Sequence, residues 1–343
     1  MKRWLITGGC GFIGSHFIGM LLDERPEALV CNLDLLTYAA REDSVAAWTG
    51  NPRYQFVRAD IADAAEVEHT WQQFAPDVVV HFAAETHVDR SITAADPFIR
   101  TNVLGTQVLL DAARRHRTAR FVHVGTDEVY GSVAAPQRAG EDAPLAPSSP
   151  YAASKAAADL LVGAAVATYA LPAVITRGAN TYGPRQYPEK FIPLAIARAL
   201  ASQPIPLYGD GGQVRCWLHV ADHCRGVLAA AERGTPGRIY NLGSEEELTN
   251  RALLQQLLQL LQRPDSLVQT VTDRPGHDRR YALDSRLAQK DLAWRPQVAL
   301  GEGLRQTVQW YSAHPEWLAI LRSKEFRDYY RRQYDGPASS SQP

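Results

Sequence analysis

Short apolar runs rich in β-branched residues recur through the first half of the chain, at 4–7, 29–33, 54–57, 77–82, 121–124 and 173–176. Longer stretches compatible with helix lie between them, at 12–22, 64–74, 98–115 and 150–169. Continuous apolar strands alternating with helices predict an α/β fold: a doubly wound parallel sheet, buried on both faces by its crossover helices. After 176 the pattern breaks into loops rich in Gly and Pro at 178–193 and 203–212, followed by one more strand at 239–242 and an amphipathic stretch at 250–262. The expected organisation is a sheet domain over 1–178, rejoined by about 214–243, with a smaller α/β lobe made from 179–213 and 244–320. The tail 336–343 is small, polar and Pro-containing, and is expected to be disordered.

Composition narrows the function. The chain has 343 residues, enough for two lobes, and its 36 Lys+Arg against 37 Asp+Glu leave a net charge of -1. No overall field draws it to nucleic acid or to an anionic membrane, so an anionic ligand needs a local site. The apolar run before Gly8 is too short for a signal peptide and no stretch is long enough to span a bilayer, which makes the cytoplasm the expected compartment. Cys10, Cys31, Cys216 and Cys224 show no C-x-x-C spacing, and although His219 and His223 lie near the last two, no metal is expected.

The turn after the first strand reads Gly8-Gly9-Cys10-Gly11-Phe12-Ile13-Gly14 and opens a helix. Glycines at 8, 11 and 14 permit a tight turn, close approach to a pyrophosphate and close helix packing, and the helix N-terminus supplies N–H donors. Asp34 ends the second strand, where a carboxylate accepts from both ribose hydroxyls and repels a 2′-phosphate. The fold is therefore Rossmann-like and the expected cofactor is NAD, Arg41 being the one nearby cation that argues for the phosphorylated form. Asp60 and Ile61 after the third strand are candidates for the adenine. Phe82, Ala83 and Ala84 after the fourth are candidates to flank the cofactor.

Two further clusters carry chemistry. Tyr151 and Lys155 fall one helical turn apart, so they share a face, and an ammonium close to the phenol together with a positive nicotinamide would lower its pKa towards the working range. The strand 121–124 runs into Thr126-Asp127-Glu128, at the carboxyl end where a parallel sheet opens onto its ligand. Thr126 can donate a hydrogen bond to the oxygen being oxidised. That leaves two adjacent acids for a second step.

Taken together, TGGCGFIGSH, HFAAETHVDRS, GTDEVYG, YAASK, NTYGPRQYPEK, YGDGGQVRCW and DRPGHDRRY resemble the dTDP-glucose 4,6-dehydratase family of extended short-chain dehydrogenases, over roughly residues 1–312. The resemblance implies a lyase acting on a nucleotide-diphosphate hexose. Tyr151 would take the 4-hydroxyl proton as hydride leaves C4, Glu128 the C5 proton, and protonated Asp127 would deliver a proton to the departing 6-hydroxyl. It implies substrate contacts at Thr86, Asn180, Glu189, Lys190, Arg215, Asn250, Arg274 and His277, and a homodimer built on the 98–115 and 150–169 helices. Gly125, Thr86, Arg185 and Cys216 depart from the family pattern, as does the segment 38–41, and these departures bear on the nucleotide base and the hexose. A UDP-sugar 4,6- or 5,6-dehydratase, a 4-epimerase and a non-enzymatic NAD-sensing protein are the alternatives.

Overall fold

The computed structural model describes residues 2–335; the tail 336–343 lies outside the described residues. Its strands are β1 (Lys2–Thr7), β2 (Ala28–Asp34), β3 (Tyr54–Arg58), β4 (Val78–His81), β5 (Arg120–Thr126), β6 (Ala173–Gly178), β7 (Asn180–Tyr182), β8 (Ile205–Tyr208), β9 (Val214–His219), β10 (Ile239–Leu242), β11 (Glu247–Thr249) and β12 (Val268–Val271). Seven of them form one sheet in the order β10-β6-β5-β4-β1-β2-β3. All its pairings are parallel. The strand order reverses between β1 and β4, and that reversal opens a crevice at the carboxyl ends.

The period-two side-chain pattern of these strands divides the core in two. Trp4 and Ile6 of β1 pack on one face with Val78, Val80 and Val122, under the helices Phe12–Glu24 and Val220–Arg233. Leu5 packs on the other with Val79, Phe121 and Ile175, under Ala64–Phe74, Thr106–Arg115 and Pro150–Tyr169. The helix expected at 98–115 begins as Asp96–Phe98, widens into π-type turns over Ile99–Gly105 and resumes as Thr106–Arg115.

A third apolar cluster joins Tyr182, Ile192 and Leu207 to Leu253, Leu257, Leu304 and Tyr311. Two small sheets serve it, β11-β9-β7 and β12-β8. Here the stretches read as loops contain short strands, β7 and β8, and Phe191–Leu200 is helical from just before Pro193, which sits in the first turn where its missing N–H costs nothing. The segment 214–243 does not rejoin the main sheet whole. Its strand β9 pairs with β7 and β11, and only the helix Val220–Arg233 and β10 return.

Candidate active site

One continuous cleft runs along the carboxyl ends of the main sheet. Gly8, Gly11, Phe12, Ile13, Gly14, Asp34, Asp60, Ile61, Phe82, Ala83 and Ala84 all line it, together with Thr126, Asp127, Glu128, Tyr151 and Lys155. Its glycine turn is dictated by contact. Gly8 sits at φ +71°, and a Cβ there would come within 2.6 Å of the Ala83 backbone nitrogen. At Gly14 a Cβ would stand 2.3 Å from the Gly8 carbonyl oxygen. No side chain caps the helix Phe12–Glu24, so its first N–H groups face the cleft with the positive end of the helix dipole.

These residues fit a dinucleotide. Asp34 is 6% exposed and receives hydrogen bonds from Cys10 N at 2.9 Å and Leu36 N at 2.8 Å, one on each carboxylate oxygen. Each oxygen keeps lone-pair capacity for a ribose hydroxyl. Arg41 is turned away from any 2′-phosphate: it pairs with Asp43 and lies 4.4 Å from the centre of the Trp317 ring. The geometry therefore sides with NAD.

The helix Pro150–Tyr169 starts sharply because Ser149 accepts from Ala152 N and Pro150 occupies its first position. That fixes Tyr151 and Lys155 on the cleft face. Lys155 is buried, its Nζ donates to the Val124 carbonyl at 2.8 Å, and burial lowers its pKa to about 8. The lowering expected at Tyr151 is not supplied by the ammonium alone. Burial first, then the charge of Glu128, push the phenol above its ordinary value, and the Thr126 hydroxyl pulls it back. The ammonium is held by a carbonyl, and the charges that act most on the phenol are carboxylates.

At the end of β5, Thr126 caps the short turn Asp127–Tyr130 by accepting from Glu128 N, and its hydroxyl donates to Asp127 at 3.3 Å. Asp127 is 2% exposed with Oδ2 unpartnered. Burial and the adjacent Glu128 raise its pKa to about 8, against the pull of Arg215. Burial also raises Glu128, but Arg274, Arg215 and Lys190 each draw it down. The pair is thus asymmetric in the direction that acid–base chemistry requires: Asp127 is the one held protonated.

The expected substrate contacts separate into groups. Thr86, Asn180 and Lys190 line the cleft, Asn180 with a buried unpartnered Oδ1 and Lys190 donating to the Thr86 carbonyl at 2.9 Å. Arg215 and Arg274 act on the charge of Glu128. Arg215 stacks 4.1 Å from the Tyr281 ring centre and donates to the Val214 and Asp278 carbonyls, with no carboxylate partner among the described residues. His277 pairs with Asp273 at 2.6 Å, and Asn250 begins the helix Asn250–Leu260, its N donating to the Gln213 carbonyl. Glu189 is the exception. Its side chain is fully buried and taken up by Tyr38 at 2.7 Å and Arg90 at 3.1 Å, which makes it a brace for the cleft wall and not a cleft group.

Of the departures from the family pattern, Gly125 and Thr86 line the cleft. A Cβ at Gly125 would stand 3.1 Å from Asp159 Oδ1, an oxygen left without a hydrogen-bond partner. Arg185 adopts a left-handed backbone at φ +65° and ties Ser44 to His16, outside the cleft lining. Cys216 is buried beside the Tyr281 carbonyl. Motif reading passed over Glu85, Thr101, Tyr187 and His223, all of which line the cleft. His223 had a signal, since it was noticed beside Cys224. It donates or accepts at Thr181 and leaves Nε2 free, while the four cysteines are buried free thiols. Among the described residues there is no metal-holding cluster and no helix long and apolar enough to cross a membrane.

Comparison with known proteins agrees with this geometry. The GDP-mannose 4,6 dehydratase family model matches residues 5–307. A dTDP-glucose 4,6-dehydratase of Actinoplanes sp. is 48% identical over 318 residues, covering 91% of this chain and 98% of that protein. A solved dTDP-glucose 4,6-dehydratase of Streptomyces venezuelae, with NAD bound, superposes with a TM-score of 0.89 at 48% identity, over 92% of this chain and 98% of that one. A Thermus thermophilus UDP-glucose 4-epimerase with NAD is more distant, at TM-score 0.84 and 33% identity over 91% of this chain and 99% of its own.

Proposed function

The chain belongs to the dTDP-glucose 4,6-dehydratase family, and on that premise we propose that it is an NAD-dependent hydro-lyase converting an NDP-hexose, dTDP-glucose first, to the NDP-4-keto-6-deoxyhexose. The observation that carries this reading is the asymmetric Asp127–Glu128 pair beside Tyr151. An oxidation at C4 alone would need only Tyr151, Lys155 and the glycine turn.

Bound NAD supplies hydride acceptance from C4, hydride return to C6 and a positive charge in the cleft. Tyr151 takes the 4-hydroxyl proton, and Thr126 steadies the C4 oxygen. The 4-ketone acidifies the C5 hydrogen. Glu128, drawn towards its charged form by Arg274, Arg215 and Lys190, removes that proton, and Asp127 protonates the departing 6-hydroxyl, so one water leaves across C5 and C6. Hydride return to C6 is completed by a proton at C5, which Glu128 gives back, and the proton Tyr151 took replaces, through solvent, the one Asp127 gave up, so all three groups are reset and one water is the net loss. Arg215, Arg274 and Lys190 offer the positive side for the diphosphate.

Incubation with dTDP-glucose and with UDP-sugars, followed by mass spectrometry and the absorbance of the keto sugar, tests the reading. Loss of 18 Da, the mass of one water, with a 4-keto product is expected. An unchanged mass with altered configuration would sink it in favour of epimerisation.

We also propose that two copies pair through the helical stretch from Asp96 to Arg115 and the helix Pro150–Tyr169. Leu160 is 65% exposed, and Ile99 and Leu104 are 51% and 45% exposed on the adjoining turns. Apolar groups of this size in adjacent helices are more stable against a partner than in water. A Leu160→Asp chain is expected to sediment as a monomer where the parent sediments as a dimer. A parent that sediments as a monomer at micromolar concentration overturns this assembly.

A further inference from the structure

Beyond residue 307, where the family match ends, the chain continues through Pro315–Arg322, Lys324–Tyr330 and Arg331–Asp335. Its side chains return to the anion-binding side of the site. Gln333 Nε2 donates to the Tyr208 hydroxyl at 2.7 Å, Tyr208 donates to Asp89 Oδ2 at 2.9 Å, and Arg274 Nη1 donates to Asp89 Oδ1 at 2.9 Å. Asp89 is 5% exposed, so both of its oxygens depend on these partners. The Tyr334 ring packs against the Tyr208 ring, whose opposite contacts are the edge of His277 and the Arg274 guanidinium. A second line of contact runs alongside. Tyr329 meets His87 edge to face and helps Tyr38 enclose Arg90, the partner of Glu189.

The far end of this chain of contacts points to a ligand. Arg274 Nε is buried and has no hydrogen-bond partner, although the same guanidinium is anchored through Nη1 and is the group that draws most strongly on Glu128. A buried donor left unmade is costly, a cost removed when an anionic oxygen arrives.

We propose that Lys324–Asp335 is a positioning strap for the nucleotide-sugar site: Gln333 fixes Tyr208, Tyr208 fixes Asp89, and Asp89 holds Arg274 with Nε free for a diphosphate oxygen. The proposal deepens the dehydratase reading and rests on it for the identity of the ligand. Gln333, Tyr334 and Tyr208 are positioning residues that act through Arg274.

Calorimetric titration of the full chain with dTDP, beside steady-state kinetics on dTDP-glucose, tests it in four proteins: the parent, Gln333→Leu, Tyr208→Phe and the double variant. Each single change is expected to weaken dTDP about 3- to 10-fold, the worth of one hydrogen bond, with the change falling on KM more than on kcat. Because the two residues occupy one chain of hydrogen bonds, the double variant is expected to lose little more than the worse single one. Multiplicative losses in the double variant, or dTDP affinity unchanged in Gln333→Leu, overturn the strap. If Gln333→Leu folds poorly by thermal melting, Tyr334→Leu is read by the same criteria. A parent that binds dTDP but dehydrates no NDP-hexose defeats the dehydratase reading and leaves the strap to be judged on binding alone.

Discussion

Replacing Glu128 with Gln is expected to cut formation of the 4-keto-6-deoxy product by about 10²- to 10⁴-fold, the usual worth of a positioned general base, while transfer of deuterium from a C4-labelled substrate persists. The separation follows from the electrostatics of the site. Glu128 is the largest charge raising the Tyr151 phenol and, with burial, the group that raises Asp127. Removing its charge makes the phenol easier to ionise, so the oxidation half is not impaired. Only proton removal at C5 is lost. Mass spectrometry of product and of recovered labelled substrate reads the two halves separately. Turnover within tenfold of the parent refutes the assignment of Glu128 as the C5 base. Loss of C4 transfer along with product places Glu128 in binding or folding instead.

The parallel sheet was legible in the sequence because its strands are buried on both faces. Runs such as Val78, Val79 and Val80 of β4 are apolar in succession because both faces of the sheet are covered. The glycine turn was legible for a related reason: Gly8 and Gly14 are required by backbone contacts within a few residues of themselves or across one strand. The strands β7, β8, β11 and β12 were not legible, being three or four residues long, part-polar and paired with distant segments. Strands of that length are legible only where, as in β4 and β10, they lie in the buried parallel sheet.

The candidate site divides along the same line. Thr126, Asp127, Glu128, Tyr151 and Lys155 were legible as cleft residues because each sits at the end of a strand or on one helical turn, where local pattern fixes direction. Glu189 was read as a ligand group, and its burial against Tyr38 and Arg90 was not legible because both lie far away in sequence. The share of Lys155 in lowering the Tyr151 phenol was overestimated for the same reason. Spacing placed Lys155 near the phenol, but the ammonium goes to the Val124 carbonyl, and only the fold shows that.

Asp127 gives the second large effect. Its pKa of about 8 means that the acid form needed to protonate the leaving hydroxyl is present below that value and is lost as pH rises through it. Glu128 must be ionised, and burial places its titration above the ordinary carboxylate value. The kcat/KM profile is therefore expected to be bell-shaped, with its alkaline limb near 8, the apparent values belonging to the coupled pair. Lys155 also titrates at about 8, so the limb alone does not identify its owner. Asp127→Asn separates them. It is expected to lower turnover about 10²- to 10⁴-fold, since an amide cannot supply the proton, and to abolish the alkaline limb in the activity that remains. Lys155→Arg, which keeps its charge at every working pH, is expected to leave that limb in place. An alkaline limb that survives in Asp127→Asn and vanishes in Lys155→Arg transfers the titration to the lysine, and the protonated Asp127 loses its part in water loss.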